Sequence, residues 1–147
     1  MPTGPVQTID ATGQEPDNAV SVRAALDAFD SDNENAFVDA MAEDVEVHTL
    51  ERDEPRRGRE EQRAYFRSMI KAIAQLDTTT DSTLSVGPYA IVEYSITGEQ
   101  IGPIGWIPLQ RNRVVKLHVL EIDEIENARI AKAWRYDNPS EMATPGP

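Results

Sequence analysis

The hydrophobic period of this chain changes once, near Thr79, and that change narrows the fold more than any other feature. Before it, apolar residues recur at helical spacing; after it, they alternate. Residues 17–31, DNAVSVRAALDAFDS, carry Val22, Leu26 and Phe29 at i, i+4 and i+7 behind Asp17 or Asn18 as candidate caps. The spacing predicts an amphipathic helix. A second short helix is expected over 34–42, burying Phe37 and Met41. A long one is expected from Arg59 to about Leu76, with Phe66, Ile70 and Ile73 on a stripe widened by Tyr65, Met69 and Leu76. Between them, DVEVHTL over 44–50 alternates as a strand, and ERDEPRRG over 51–58 is a charged loop. Beyond Thr79 the segments 80–87, 89–98, about 104–109, 113–125 and 129–137 all read as strands, broken at Gly87-Pro88, Thr97-Gly98 and Asn127-Ala128. Helices first and antiparallel strands afterwards define an α+β fold with the helices on one side of a bent sheet.

A length of 147 residues fits one domain with a single core. Residues 1–16 and 139–147 hold Pro, Gly, Thr and acid without apolar periodicity, so mobile tails are expected around a domain at 17–138. The net charge of −12 repels phosphate, which argues against nucleic acid or an anionic membrane as partner. The absence of cysteine excludes disulfides, thiol catalysis and cysteine-based zinc sites. No apolar run approaches the ~20 residues that span a bilayer. The first residues lack the basic start and apolar stretch of a signal peptide, so a cytoplasmic protein is expected.

The most informative stretch is KLHVLEIDEIENARIAKAWRYD, 116–137, a hairpin whose strands each split by parity. With Ile125 opposite Ile130 and no bulge, Glu121 lies beside Trp134. One extra residue as a bulge sets Glu121 opposite Arg135 and Ile122 opposite Trp134. The bulged register pairs opposite charges, and we prefer it. One face then holds Leu120, Ile122, Trp134 and Tyr136; the other holds Glu121, Asp123, Ala131, Ala133, Arg135 and Asp137. By pattern alone the aromatic face is core and the charged face is solvated.

The order helix, helix, strand, charged loop ending in Gly58, long helix and then strands resembles the nuclear transport factor two-like fold. AEDVEVHTLERDEPRRGREEQRAYF, 42–66, is similar to that family's acid-acid, strand, loop, R-x-G, helix segment. TGEQIGPIGWIPLQRNRVVKLHVLEIDEIENARIAKAWRYD, 97–137, resembles the SnoaL-like polyketide cyclase branch, and the likeness runs over roughly 17–138. It implies a cone-shaped barrel of bent antiparallel sheet, with three N-terminal helices packed on its concave face over a small-molecule pocket. It also inverts the faces: Glu121, Ala133, Arg135 and Asp137 would line the pocket, and Leu120, Ile122, Trp134 and Tyr136 would form a homodimer seam. No cofactor comes with the resemblance.

Position by position, the family's known chemistries do not transfer whole. The ketosteroid isomerase-like relatives place a proton-shuttling Asp where this chain has Thr49, an oxyanion-binding Tyr at Ala25 and a protonated Asp at Glu121. The cyclases place their catalytic Asp at Arg135, with Asp137 two residues further, and their helper His at Glu121. Epoxide hydrolase-like members use an Asp-Arg-Asp set, whose residue types recur in Glu121, Asp123, Arg135 and Asp137 in another order. These counts imply Glu121 as principal acid–base, Arg135 as its partner or an oxyanion stabiliser, and Asp137 or Asp123 as auxiliary. Thr49, Tyr65, Met69, Trp106, Asp123 and Ala133 are the expected substrate contacts. The activity implied is proton transfer on a carbonyl-containing small molecule, as in cyclisation or isomerisation. The alternative is a binding module that kept the pocket and lost the chemistry. A scaffold without a pocket would show bulky side chains above Ala133.

A buried Glu121 has two fates. A guanidinium within ~4–6 Å keeps it ionised; if Arg135 turns away it becomes a neutral donor or an acid–base near neutral pH. His48 and His118 are the only histidines, and no third ligand joins them, so no metal site is expected. Arg56-Arg57-Gly58-Arg59 offers an anion site, but Glu51, Asp53, Glu54, Glu60 and Glu61 surround it, and local neutralisation is the simpler expectation.

Overall fold

The computed structural model of the chain describes residues 6–8 and 17–137. A short 3-10 turn, Asp17–Ala19, leads into α1 (Val20–Asp30), followed by α2 (Glu34–Asp39) and, after two strands, α3 (Gly58–Ala72). The strands are β1 (Val6–Thr8), β2 (Met41–Thr49), β3 (Arg56–Arg57), β4 (Ile73–Val86), β5 (Tyr89–Gln100), β6 (Val114–Glu126) and β7 (Arg129–Asp137). They form one sheet in the order β1-β4-β5-β6-β7-β2-β3. The expected α+β cone is present, with two refinements: β2 runs parallel to β7, and the sheet is open, ending at β1 and β3. A return crossover through the helices brings β2 beside β7 without a hairpin, which is why the pairing there is parallel. Apart from β1, the segments expected to be tails lie outside the described residues.

The helices close over one face through an aromatic knot. Phe29 of α1, Phe37 of α2 and Phe66 of α3 meet with ring centroids 4.9–5.1 Å apart. All three are buried, and rings in edge and offset contact add to the area they remove from water. Asn33 caps α2 by accepting the Ala36 amide at 3.1 Å. Outside the core, Glu34 of α2 accepts from Arg63 and Arg67 of α3. No helix among the described residues is long and apolar enough to cross a membrane.

Three boundaries differ from the sequence reading. Helix α3 ends at Ala72, so Ile73 and Leu76 belong to β4. Their spacing of three mimics a helical stripe, yet a bulge between Ala74 and Asp77, with Gln75 at φ +53°, lets both face inward from a strand. Met41 opens β2 rather than closing α2, and is buried there. Residues 104–109 are no strand: a tight turn bridges Ile104 to Ile107 and buries both, leaving Trp106 at its tip.

Candidate active site

The β6–β7 hairpin combines both registers. Ile125 does pair with Ile130 across the Asn127-Ala128 turn, and a bulge just beyond it shifts the ladder. Both turn residues have positive φ, +52° and +62°, the conformation that matches the twist of a tight hairpin. Beyond the bulge Glu121 stands opposite Arg135, Ile122 opposite Trp134 and Asp123 opposite Ala133. The charged face is the buried one. Glu121, Asp123, Ala133 and Arg135 are all nearly inaccessible, whereas Leu120 and Tyr136 are 42% and 40% exposed. The helices cover this face, so Glu121, Asp123, Ala133 and Arg135 point inward as the resemblance implied.

The buried charges are organised around one oxygen. Arg135 Nε donates to Glu121 Oε1 at 2.8 Å, and Tyr94 Oη donates to the same atom at 3.0 Å. Burial alone would push the Glu121 carboxyl up. The Arg135 charge, with hydrogen bonds from Asp123, Arg135 and Tyr94, outweighs it and holds the group below the usual carboxylate range. Asp123 is the counterpart. It is fully buried, and neither carboxyl oxygen receives a donor among the described residues. Burial, then the adjacent Glu121 charge, push it well above the usual range. The two carboxyls are thus pushed in opposite directions, Glu121 towards the ionised form and Asp123 towards the neutral acid.

Arg135 connects this centre to Tyr65. Its Cζ lies 4.5 Å from the centroid of the Tyr65 ring, and Arg56 Cζ lies 4.9 Å from the same centroid. Thr49 is the registered neighbour of Arg135 on β2. Thr49, Arg56, Tyr65 and Asp137 are half-buried. Burial, followed by the Glu51 charge, raises the Asp137 carboxyl above its ordinary range.

The space above Ala133 is small, narrowed by bulky side chains as the scaffold reading expected. Val22, Leu26, Phe29 and Phe37 from α1 and α2 close a cavity of about 10 Å³ over Glu121, Asp123, Ala133 and Arg135, room for one water molecule. Ala25, where isomerase relatives carry Tyr, lines it. A cleft of about 400 Å³ lies elsewhere, between α1, α2 and Ala128 of the hairpin turn; it includes none of the expected site residues.

Of the residues singled out in the sequence, Glu121, Arg135, Asp123 and Ala133 converge at the buried centre, and Thr49, Tyr65 and Asp137 flank it. Two are elsewhere. Met69 packs into the hydrophobic core, and Trp106 is 61% exposed on the turn between β5 and β6. Tyr94, whose hydroxyl donates to Glu121, is not among the site residues expected from the sequence. Its signal was parity: it shares the inward face of β5 with Ala90 and Val92, and Val92 pairs with Glu121, so a buried hydroxyl there needs a partner. Arg56 was set aside as part of a neutralised cluster. Arg57 does pair with Glu46 and Glu54, and Arg59 donates to the Met41 carbonyl, but Arg56 has no ion pair among the described residues, and its Nη1 is buried without a partner.

A helix-capped open cone with a buried polar centre on its concave sheet face is the nuclear transport factor two-like, or ketosteroid isomerase-like, class of α+β fold. A family model for the SnoaL-like polyketide cyclases matches residues 19–144, and the chain belongs to that family. Solved structures agree on the fold. A protein of Jannaschia sp. CCS1 assigned to the SnoaL-like polyketide cyclases superposes with a TM-score of 0.77 at 14% identity, covering 90% of this chain and 96% of that one. A ketosteroid isomerase-like protein of Catenulispora acidiphila, solved with trimethylamine, gives 0.66 at 17% identity over 80% and 84%. An LEH-like epoxide hydrolase of M. tuberculosis gives 0.67 at 15% identity over 86% of each chain. No curated protein matches the chain by sequence.

Proposed function

We propose that this protein is a small-molecule pocket protein that moves a proton on a carbonyl compound, with Glu121 and Asp123 as a carboxyl pair sharing one proton. The observation that carries this reading is Asp123: fully buried, without a donor among the described residues, and on the same buried strand face as a Glu121 held by Arg135 and Tyr94. Such a pair holds an acid and a base side by side. Glu121 takes a proton from the carbon beside the carbonyl, while Asp123 gives its own to the carbonyl oxygen, so the enol forms without net charge. Reversal at another carbon completes an isomerisation; attack of the enol on a second carbonyl completes a cyclisation. Arg135 and Tyr94 position Glu121. A ligand larger than water requires the α1 and α2 side chains that line the cavity to move aside.

The test is deuterium exchange. Acetoacetamide and cyclohexanone in D2O are followed by proton NMR with wild type, Glu121→Gln and Asp123→Asn. Faster exchange with wild type, lost in both variants, supports the reading. The binding-module reading is favoured by a specific observation: three donors already saturate Glu121 around a cavity of about 10 Å³. Resonance shifts on β6 and β7 without exchange would establish it and end the catalytic proposal.

The outer sheet face suits a second copy of the chain. Leu120 and Tyr136 stand exposed beside half-buried Ile122 and Trp134, and His48 stacks on Trp134 with ring centroids 5.8 Å apart. We assign this face to a homodimer seam, which the mass in solution tests. A cysteine-free acidic composition fits a cytoplasmic protein, and fractionation of the native cells checks that placement.

A further inference from the structure

We infer that Arg56 and Arg135, with the Thr49 hydroxyl, form a carboxylate-binding subsite where β3, β2 and β7 adjoin, so that the ligand is an organic acid. The inference deepens the proposed function and rests on its placing of the ligand on the concave face.

Two cations are gathered where one would suffice for Glu121. Both guanidinium groups lie against the Tyr65 ring, at 4.5 and 4.9 Å from its centroid, and the two are near enough for each to oppose the other's charge. Only the Nε of Arg135 is spent on Glu121. Among the described residues its Nη1 is buried without a partner, and so is Nη1 of Arg56. Thr49 Oγ1, the registered neighbour of Arg135, is a third buried orphan. A desolvated donor without an acceptor costs free energy, and these three outnumber the one unpartnered acceptor near them, Asp137 Oδ1, so the group has capacity for a further acceptor.

The chemistry of the orphans selects the acceptor. Guanidinium N–H groups and a hydroxyl offer donors to two oxygens of one planar anion, the geometry of a carboxylate. The site is held for this purpose rather than left loose. Gln62, fully buried in α3, donates Nε2 to the Arg56 carbonyl at 2.9 Å and fixes the short strand that carries it. Register places Arg56 beside Val47 and Thr49 beside Arg135 on adjoining strands, one step from the Glu121 centre. Asp137 and Glu51 add negative charge at the edge. They lie within reach of the Arg56 field but make no ion pair with either arginine among the described residues, so both cations keep free donors.

Acetate is the simplest carboxylate and acetamide its neutral counterpart, so neither depends on the carbonyl chemistry. Both are titrated at constant ionic strength while the arginine side-chain resonances are followed by NMR. The expected result is a saturable shift of the Arg56 and Arg135 signals with acetate and none with acetamide. Arg56→Gln should weaken acetate by about tenfold or more, the usual effect of losing a charge-assisted hydrogen bond. Thr49→Val should weaken it less. No saturable acetate shift in wild type, or an Arg56→Gln variant that binds acetate as well as wild type does, overturns the subsite. Deuterium exchange on acetoacetamide is read separately. Acetate binding without exchange retains the subsite and removes the catalysis; exchange without acetate binding does the reverse.

Discussion

Arg135 and Glu121 form a salt bridge of 2.8 Å across the β6–β7 ladder, with side chains only 5% and 6% exposed. A pair so deeply desolvated gains little over apolar residues of the same volume, but removing one partner strands the other. Arg135→Met should therefore lower unfolding stability by about 3–5 kcal/mol. The double variant Glu121→Leu/Arg135→Met should recover most of that loss. Urea unfolding checks both. A single variant within about 0.5 kcal/mol of wild type would contradict the buried pair.

Asp123 predicts the pH dependence. Its folded carboxyl is raised by burial and by the Glu121 charge, so the native state keeps a proton that the unfolded chain has released. Stability from this group is complete below the ordinary Asp range and falls as pH rises through it towards the folded value. Glu121 acts oppositely: its folded value is lowered, so its contribution is lost as pH falls. Asp123→Asn stays neutral at all pH. Its melting temperature should decline less than that of wild type between about pH 4 and 8, while the acid side keeps its slope. Equal slopes for the two proteins would show Asp123 ionised in the fold.

The outer face gives a prediction about assembly. Wild type should run as a dimer in light scattering, and Trp134→Asp as a monomer with unchanged far-UV circular dichroism. A monomeric wild type removes the seam. An unfolded variant makes Trp134 a core residue.

Gly98 tests the sheet's sharpest contact. A Cβ there would stand 2.3 Å from Ile73 Cγ2 and 2.7 Å from the Ala74 carbonyl oxygen. The methyl can rotate away, but the carbonyl belongs to the bulge that starts β4. Gly98→Ala should cost about 1–3 kcal/mol, and adding Ile73→Ala should not restore it. Full rescue in urea unfolding would mean that the side chain alone sets the contact.

Much of this was written in local periodicity. Parity along 116–137 sorted Glu121, Asp123, Ala133 and Arg135 onto one face, and the charge pairing chose the register now seen. Helical spacing placed Phe29, Phe37 and Phe66 inward, where they meet. Alternation is a short-range property, and neighbouring residues are enough to set it. It cannot say which face a helix will cover. That followed from the family resemblance, and the tertiary structure confirmed it. Three further matters were decided by tertiary packing alone. Bulges gave Ile73 and Leu76 a helical spacing inside a strand. The side chains of α1 and α2 shrank the space above Ala133 to about one water. Strands and a helix far apart in sequence brought Tyr94 to Glu121 and both Arg56 and Arg135 to Tyr65. Hydrogen bonds and charge fields depend on distances across the fold, and a side chain's partner, unlike its parity, is set only when the elements dock.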